Sequence, residues 1–310
     1  MKGPALLMIS RVASIGGLGL IFLAMVTPAR AQNVRGISEE AQETKTLRIQ
    51  PPAGRLAFVA DGNSSDPDDI GATAVMLGLL NGAGLEDRLV HLSHSCDLEP
   101  FRGSRNPISK EDELRRQSVL QKLCEEGIAF FGPFPAVEKV FNCRVEQHAA
   151  VENLKDAINA SSVGNPLWII EAGEPDVIGF ALAEADAKKS RYVHVVSHHP
   201  ANDNSGDHFT WKQILQFGVR EHQIGDQNVG LQTRIAEWDW AKVHSDPAMR
   251  WIWERLSYAE RDGVVRFQTN KFDCSDAGMI YWWITGANRG GIRDSTPREM
   301  RTLLLGEVSE

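Results

Sequence analysis

Asp61, Asn63, Asp66, Asp68 and Asp69 crowd into one short window, "DGNSSDPDD". Carboxylates this close repel one another unless a cation lies among them or water screens them. Part of the crowding has a plain structural use, because aspartates in the first turn of a helix gain about 0.3–1 kcal/mol each from the helix dipole. That suffices for one or two of Asp66, Asp68 and Asp69. It does not reach Asp61, which ends the apolar run before the helix. Hard oxygen donors on a strand-to-helix turn suit a calcium-type ion, which takes six to eight oxygens at about 2.3–2.6 Å. The window offers no sulfur or imidazole ligand, so zinc fits it less well.

The elements that must carry such a turn are legible on both sides of it. "RLAFVA" reads as a buried strand and "DDIGATAVMLGLLNGAG" as a helix closed by glycine. Further on, "RLVHLSHS" is a strand. "SKEDELRRQSVLQKLCEEG" is a helix with Ser109 as cap, Asp112 as its partner and Gly127 at its end. A helix over "VEQHAAVENLKDAINAS", the strand "PLWIIEAG", the helix "EPDVIGFALAEADAKK" and the strand "RYVHVVSHH" follow. Short apolar strands alternating with such helices predict an α/β fold: an open, mostly parallel sheet with helices on both faces. The last third offers helices at "DPAMRWIWERLSYAERDG", "SDAGMIYWWITGA" and "STPREMRTLLLGE", the last with Thr296, Pro297 and Glu299 at its start.

In such sheets ligands bind beyond the carboxyl ends of the strands. Here four expected strands end in polar groups: Asp61; His94 and Asp97; Glu171; and His198, His199, Asn202, Asp203 and Asn204. Together they form a polar rim. Asn63, His94, Glu171, Asn202 and Asn204 are its candidate substrate contacts. Imidazoles titrate near neutrality, which makes His198, His199 or His94 candidates for the acid that assists a leaving group. A buried, hydrogen-bonded core histidine is the commoner case for any one of them. Of the eight tryptophans, six fall between Trp238 and Trp283; sugar stacking is open to them, but core packing is the expected role for most.

The ends of the chain suggest export. Lys2 and Arg11, the apolar run "VASIGGLGLIFLAMV" and "TPARA" with its Ala29-x-Ala31 pattern read as a bacterial-type signal peptide over 1–31, placing the protein in the periplasm or outside the cell. The run falls short of the roughly 20 apolar residues of a membrane span, so no stable insertion is expected after cleavage. Residues 32–54 read as a flexible lead-in and 55–310 as one domain. The chain has 33 Lys and Arg against 41 Asp and Glu; the leader holds three of the basic residues and no acid, which leaves −11 for the rest. That balance argues against a nucleic-acid partner. Disulfides are open to Cys96, Cys124, Cys143 and Cys274, with Cys124–Cys143 suggested by spacing. A homo-oligomer stays open.

With Asp61, Asn63 and Asp68-Asp69 on a strand-to-helix turn, the sequence resembles the inosine-uridine nucleoside hydrolase superfamily, in particular its diverged nucleoside-hydrolase-like branch. Those enzymes open with Asp-x-Asp-x-x-x-Asp-Asp; "DGNSSDPDD" is one residue longer and puts Asn63 where the second aspartate stands. "LWIIEAGEPDVIGFAL", "YVHVVSHH" and "FDCSDAGM" resemble later family segments, and the likeness spans roughly residues 55–287.

The resemblance implies a calcium-dependent hydrolysis of N-glycosidic bonds in a nucleoside or sugar ligand. Asp61, Asp68, Asp69 and Asp276 would then be metal ligands, and Asn202 and Asn204 the nearest sugar contacts. The family base is the second aspartate, so Asp66 and Asn63 compete for that position, and only Asp66 can take a proton at neutral pH. The alternative is a binding protein for a carbohydrate or nucleoside-like ligand on the same fold. Action on another glycoside is a third reading.

Overall fold

The computed structural model describes residues 47–64, 66, 68–99, 108–262, 271–286 and 295–309. The expected signal peptide and most of the lead-in lie outside them. Along the chain run β1 (Leu47–Arg48), β2 (Arg55–Ala60), α1 (Asp69–Gly82), β3 (Leu89–His94), α2 (Lys110–Phe131), β4 (Val140–Asn142), α3 (Cys143–Asn159), β5 (Leu167–Ala172), α4 (Asp176–Glu184) and β6 (Val193–Ser197). The short α5 (Pro200–Asp203) and α6 (Trp211–Gln216), β7 (Arg220–Gln223), α7 (Asn228–Leu231), β8 (Gln232–Arg234) and α8 (Asp239–Lys242) come next. Then follow α9 (Pro247–Asp262), β9 (Lys271–Asp273), α10 (Ala277–Gly286), α11 (Pro297–Leu304) and β10 (Val308–Ser309).

Six strands form one parallel sheet in the order β4-β3-β2-β5-β6-β7. The chain starts in the middle, winds outward through β3 and β4, then returns to β5 and winds the other way. The order therefore reverses between β2 and β5, whose register runs from Arg55↔Leu167 to Ala60↔Ala172. A crevice opens at the carboxyl ends of strands at such a switch point.

Alternation along the strands explains the two layers. Leu56, Phe58 and Ala60 join Trp168, Ile170 and Val196 in the core under α1, α2, α9, α10 and α11. Ala57 and Val59 join Leu167, Ile169, Val193 and Val195 in the core under α3, α4 and α6. Helix α1 is apolar on every side because it packs against α2, α9, α10 and α11 as well as lying over the sheet. Among the described residues no helix is long and apolar enough to cross a membrane.

Several sequence expectations shift. Helix α2 starts where Ser109 caps it but runs past Gly127 to Phe131, since packing on α1 and α9 outweighs a single glycine. β4, β7 and the β8–β9 ladder went unread because they are short and partly polar. The end of the expected lead-in is tied down. β1 pairs with β10, Trp168 Nε1 donates to the Ala53 carbonyl at 3.1 Å and an Arg88 N–H to that of Gly54 at 2.7 Å. All four cysteines are free and buried; Cys124 and Cys143 lie in the cores on opposite sides of the sheet, so the suggested pairing is corrected. Six tryptophans are buried, among them Trp238 and Trp283 at 0 % exposure, which favours packing over stacking for most.

One glycine controls the site from a distance. A Cβ on Gly71, in the first turns of α1, would sit 2.5 Å from the Asp273 carbonyl oxygen and 3.0 Å from Leu256 Cδ2. The turn that carries Asp273 and Asp276 is thus seated directly on the start of α1. Gly71→Ala is expected to cost about 1–3 kcal/mol in thermal or urea denaturation through overpacking. An unchanged midpoint would show that the turn yields freely.

Candidate functional site

The carboxyl ends of β3, β2, β5 and β6 bring together residues that are more than two hundred positions apart in the chain. Asp61 follows β2. Its N–H donates both to the Ala172 carbonyl at 2.9 Å and to Asp69 Oδ2 at 2.8 Å, which pins the strand end to β5 and to the start of α1. Asp68 caps α1 by accepting from the Asp69 N–H at 3.1 Å. One oxygen from each of Asp61, Asp68 and Asp69 lies within 4.8 Å of the others. Oxygens bound at about 2.3–2.6 Å to a single ion stand at most about 5 Å apart, so this triad can share one.

The electrostatics agree with that donor set. Burial, reinforced by neighbouring acids, pushes the carboxyls of Asp61, Asp68 and Asp69 well above the ordinary range. Asp69 is 0 % exposed and its Oδ1 has no hydrogen-bond partner; Asn63, 2 % exposed, likewise has an unpartnered Oδ1. Buried acceptors without donors are costly unless something positive meets them. The residues present fit a hard divalent cation.

Asp276 stands beside this triad rather than within it. Its Oδ1 lies 2.8 Å from His198 Nε2, while its negative charge acts on Asp61, Asp66, Asp68 and Asp69. Asp66 turns inward towards Asp273, Asp276 and Arg116. Burial and the two acids raise its pKa to about 7, with Arg116 opposing them. A carboxylate poised there suits a general base.

The histidines divide. His94 is buried, with Nδ1 2.8 Å from Ser95 Oγ and Nε2 3.0 Å from Gln121 Oε1, and burial lowers its pKa to about 4. It belongs to the core and offers a ligand no free nitrogen, which corrects its reading as a rim contact. His198 Nδ1 accepts from the Gln227 N–H at 3.2 Å, so its proton sits on Nε2 facing Asp276. Burial favours the neutral ring, yet the bond and charge of Asp276 outweigh it and raise the pKa. With both nitrogens engaged, His198 orients Asp276 and is badly placed to protonate a leaving group. His199 is part-exposed; its Nδ1 caps α5 and its Nε2 lies 4.0 Å from Asp226.

Of the remaining expected contacts, Glu171 is buried at the end of β5 beside Ser197 and Asp203. Asn202 lies on α5. Asn204 Nδ2 folds back to the Pro200 carbonyl at 2.7 Å. Four further acids were not among the candidate site residues, although Asp97 was read as part of the polar rim. Asp273 accepts from Ser275 N and Gln232 Nε2 at 3.0 Å each. Asp97 is raised to about 7 by burial, Glu113 pairs with Arg144 at 2.7 Å, and Glu174 is raised to about 10 by burial and by Asp97, Asp176 and Asp61. The strand-end rule points to Asp97 and to the turn holding Glu174; nothing local marks Glu113 or Asp273. A Cβ on Gly173, at φ +148°, would sit 2.7 Å from Asp61 Cβ, and this close approach brings the turn of Glu174 against the end of β2.

His91, beneath the site on β3, has Nδ1 2.7 Å from Asn153 Oδ1 and Nε2 2.9 Å from Ser93 Oγ. Burial lowers its pKa from 6.5 to about 4. The unfolded chain binds this proton near 6.5 while the fold resists it, so the stability due to neutral His91 is complete above 6.5 and is lost as pH falls towards 4. The gap is worth roughly 3 kcal/mol. Urea denaturation of His91→Gln should show a shallower loss than wild type between pH 6.5 and 4.5; parallel slopes would contradict the assignment.

Fold and site together define a doubly wound α/β domain with a cluster of acids at its switch point. No family model matches the chain. It is 50% identical over 262 residues to Uncharacterized protein P22 of Formosa agariphila, covering 84% of this chain and 94% of that protein, and it belongs to the same family as P22. Among solved structures it is similar to the effector protein XOO4466, at 13% identity and TM-score 0.44 over 84% of this chain and 93% of that one. It is also similar to the type III effector protein XopQ, solved in complex with adenosine diphosphate ribose, at 13% identity and TM-score 0.42 over 84% and 94%. Both likenesses are distant.

Proposed function

We propose that this protein is an exported, calcium-dependent hydrolase of N-glycosidic bonds in nucleosides or related ribosides. The observation that carries the reading is the convergence of Asp61, Asp68 and Asp69 within 4.8 Å at the switch point, with Asp66 poised near neutrality beside them. Asp61, Asp68 and Asp69 would hold the calcium, which would supply Lewis acidity to the attacking water and a positive charge for the sugar hydroxyls. Asp66 takes the proton of the attacking water. The surrounding carboxylates stabilise positive charge as it grows on the sugar ring in an oxocarbenium-like state. His198 keeps Asp276 in place, and Arg116 keeps Asp66 from being protonated outright.

Released base and reducing sugar from a nucleoside panel, with calcium and with chelator, test the reading. Turnover that the chelator abolishes is expected. No turnover of any nucleoside in calcium would discard the hydrolase.

A second reading, ligand binding without turnover, is favoured by Asn63. Its Nδ2 donates to the Asp97 carbonyl at 3.1 Å and to Glu113 Oε1 at 3.3 Å, so an oriented amide occupies the position of the family base. Calorimetric nucleoside binding without hydrolysis, unaffected by Asp66→Asn, would select it.

A further inference from the structure

Among the described residues, Ser95, just past β3, is the only one other than glycine with a left-handed backbone, at φ +58°. A Cβ makes that conformation costly, and it persists only where surrounding bonds enforce it. Its use lies in the amides. Along an extended strand successive N–H groups face opposite sides. Here two in succession reach β2: the Ser95 N–H donates to the Asp61 carbonyl at 2.9 Å and the Cys96 N–H to that of Ala60 at 3.0 Å. The left-handed residue folds the chain back across the end of β2, so the later amide meets the earlier carbonyl. The side chain locks this turn. Gln121 Nε2 donates to Glu125 Oε1 at 2.9 Å, which leaves Gln121 Oε1 facing His94 Nε2 at 3.0 Å. An amide oxygen can only accept, so the imidazole proton is on Nε2, and Nδ1 accepts from Ser95 Oγ at 2.8 Å. Ser95 and His94 are both fully buried. Glycine would adopt the backbone freely but would leave His94 Nδ1 buried and unbonded.

This chain of bonds ends on a member of the acid triad. Asp61 is held on both sides of its α carbon, its N–H by Ala172 and Asp69 and its carbonyl by Ser95. Its Oδ1 also accepts from the Gly62 N–H. With the backbone fixed at both ends, only side-chain torsions remain to aim the carboxylate. That matters because three carboxylates within 4.8 Å repel one another before a cation arrives, and an unbraced Asp61 would turn away. We infer that Ser95 is a positioning residue for the cation: its strained backbone, locked by His94, holds Asp61 where its carboxylate meets those of Asp68 and Asp69. The inference rests on the calcium reading above and deepens it. The cost of gathering the acids is met when the chain folds, which leaves less to be met when the ion binds.

Ser95→Gly and Ser95→Ala in the full chain make the test, through melting temperature in chelator and calcium calorimetry. Both variants lose the bond to His94, and only alanine keeps the strain. In chelator the glycine variant should therefore melt about 2–4 °C above the alanine variant. Calcium should bind Ser95→Gly at least about fivefold more weakly than wild type, because a freed turn no longer holds Asp61. A serine with a purely structural role would move the melting temperatures and leave calcium affinity alone. A smaller loss of affinity, or a glycine variant melting no higher than the alanine variant, would overturn the inference and leave the calcium site standing. If wild type binds no calcium, the calcium site falls and the inference falls with it. Should Ser95→Ala fail to fold, the calcium affinity of Ser95→Gly decides alone.

Discussion

Asp69→Asn is expected to abolish the calcium-dependent rise in melting temperature while leaving the calcium-free protein as stable as wild type or more so. The sign follows from the crowding. In the ion-free chain Asp69 is buried among acids that oppose its ionisation, and Asp276 and Asp61 are its strongest charged neighbours. Removing one charge relieves repulsion, and asparagine can still accept from the Asp61 N–H through its own Oδ1. The same change deletes an oxygen that has no other partner and one of three donors able to share an ion.

Calcium at about a hundred times its dissociation constant would stabilise wild type by about 2.7 kcal/mol, or roughly 5–10 °C for a domain of this size. The pH dependence has a worked sign. Asp66 and Asp97, both raised to about 7, contribute most to stability when protonated, and that contribution is lost as pH rises from about 4 through 7. Calcium offsets the loss, so the calcium-induced shift should be larger at pH 8 than at pH 5.5. A shift that survives Asp69→Asn, or one independent of pH, would remove the metal from this site.

Asp66→Asn is the second large effect: kcat for the best nucleoside substrate should fall by about 10²–10⁴-fold, roughly 3–5 kcal/mol in the barrier. Asp66 lies outside the triad able to share an ion, so calcium affinity measured by calorimetry should change far less than kcat. The acid limb of the kcat–pH profile should disappear with it, since a base at Asp66, at about 7, would have to be ionised to accept the water's proton. A threefold loss or less would transfer the base to Asp97, whose pKa matches and which lies at the end of the adjacent strand β3. A collapse of calcium binding in parallel with kcat would make Asp66 a ligand.

How far the sequence reached can be read residue by residue. Asp61, Asp68 and Asp69 were legible because a strand end and a helix start are local signals and the acids lie between them. Helix α11 was legible because Thr296 and Glu299 close a capping box around Pro297. Asp66 was legible as a candidate, but its raised pKa depends on burial and on Asp273 and Asp276, opposed by Arg116 of α2, and the turn of those two acids packs on α1 where Gly71 leaves room for it.

The histidines show the other side. His94, His198 and His199 look alike as residues near strand ends. One is a core group bonded on both nitrogens, one is committed to Asp276, and only His199 keeps an outward-facing nitrogen. Spacing says which face of a strand a residue occupies, and it is silent on what stands opposite.

The sequence by itself determined the alternation of strands and helices, the parallel α/β class and the acidic turn after the first long strand, because each rests on periodicity, capping and turn chemistry within a few residues. Tertiary structure alone decided the strand order that opens the crevice, the arrival of Asp276 and Glu174 at that turn, the separation of Cys124 from Cys143 and the partner of each imidazole. Those depend on which distant surfaces bury one another, and the free energy of that burial belongs to the packed whole, not to any stretch of the chain.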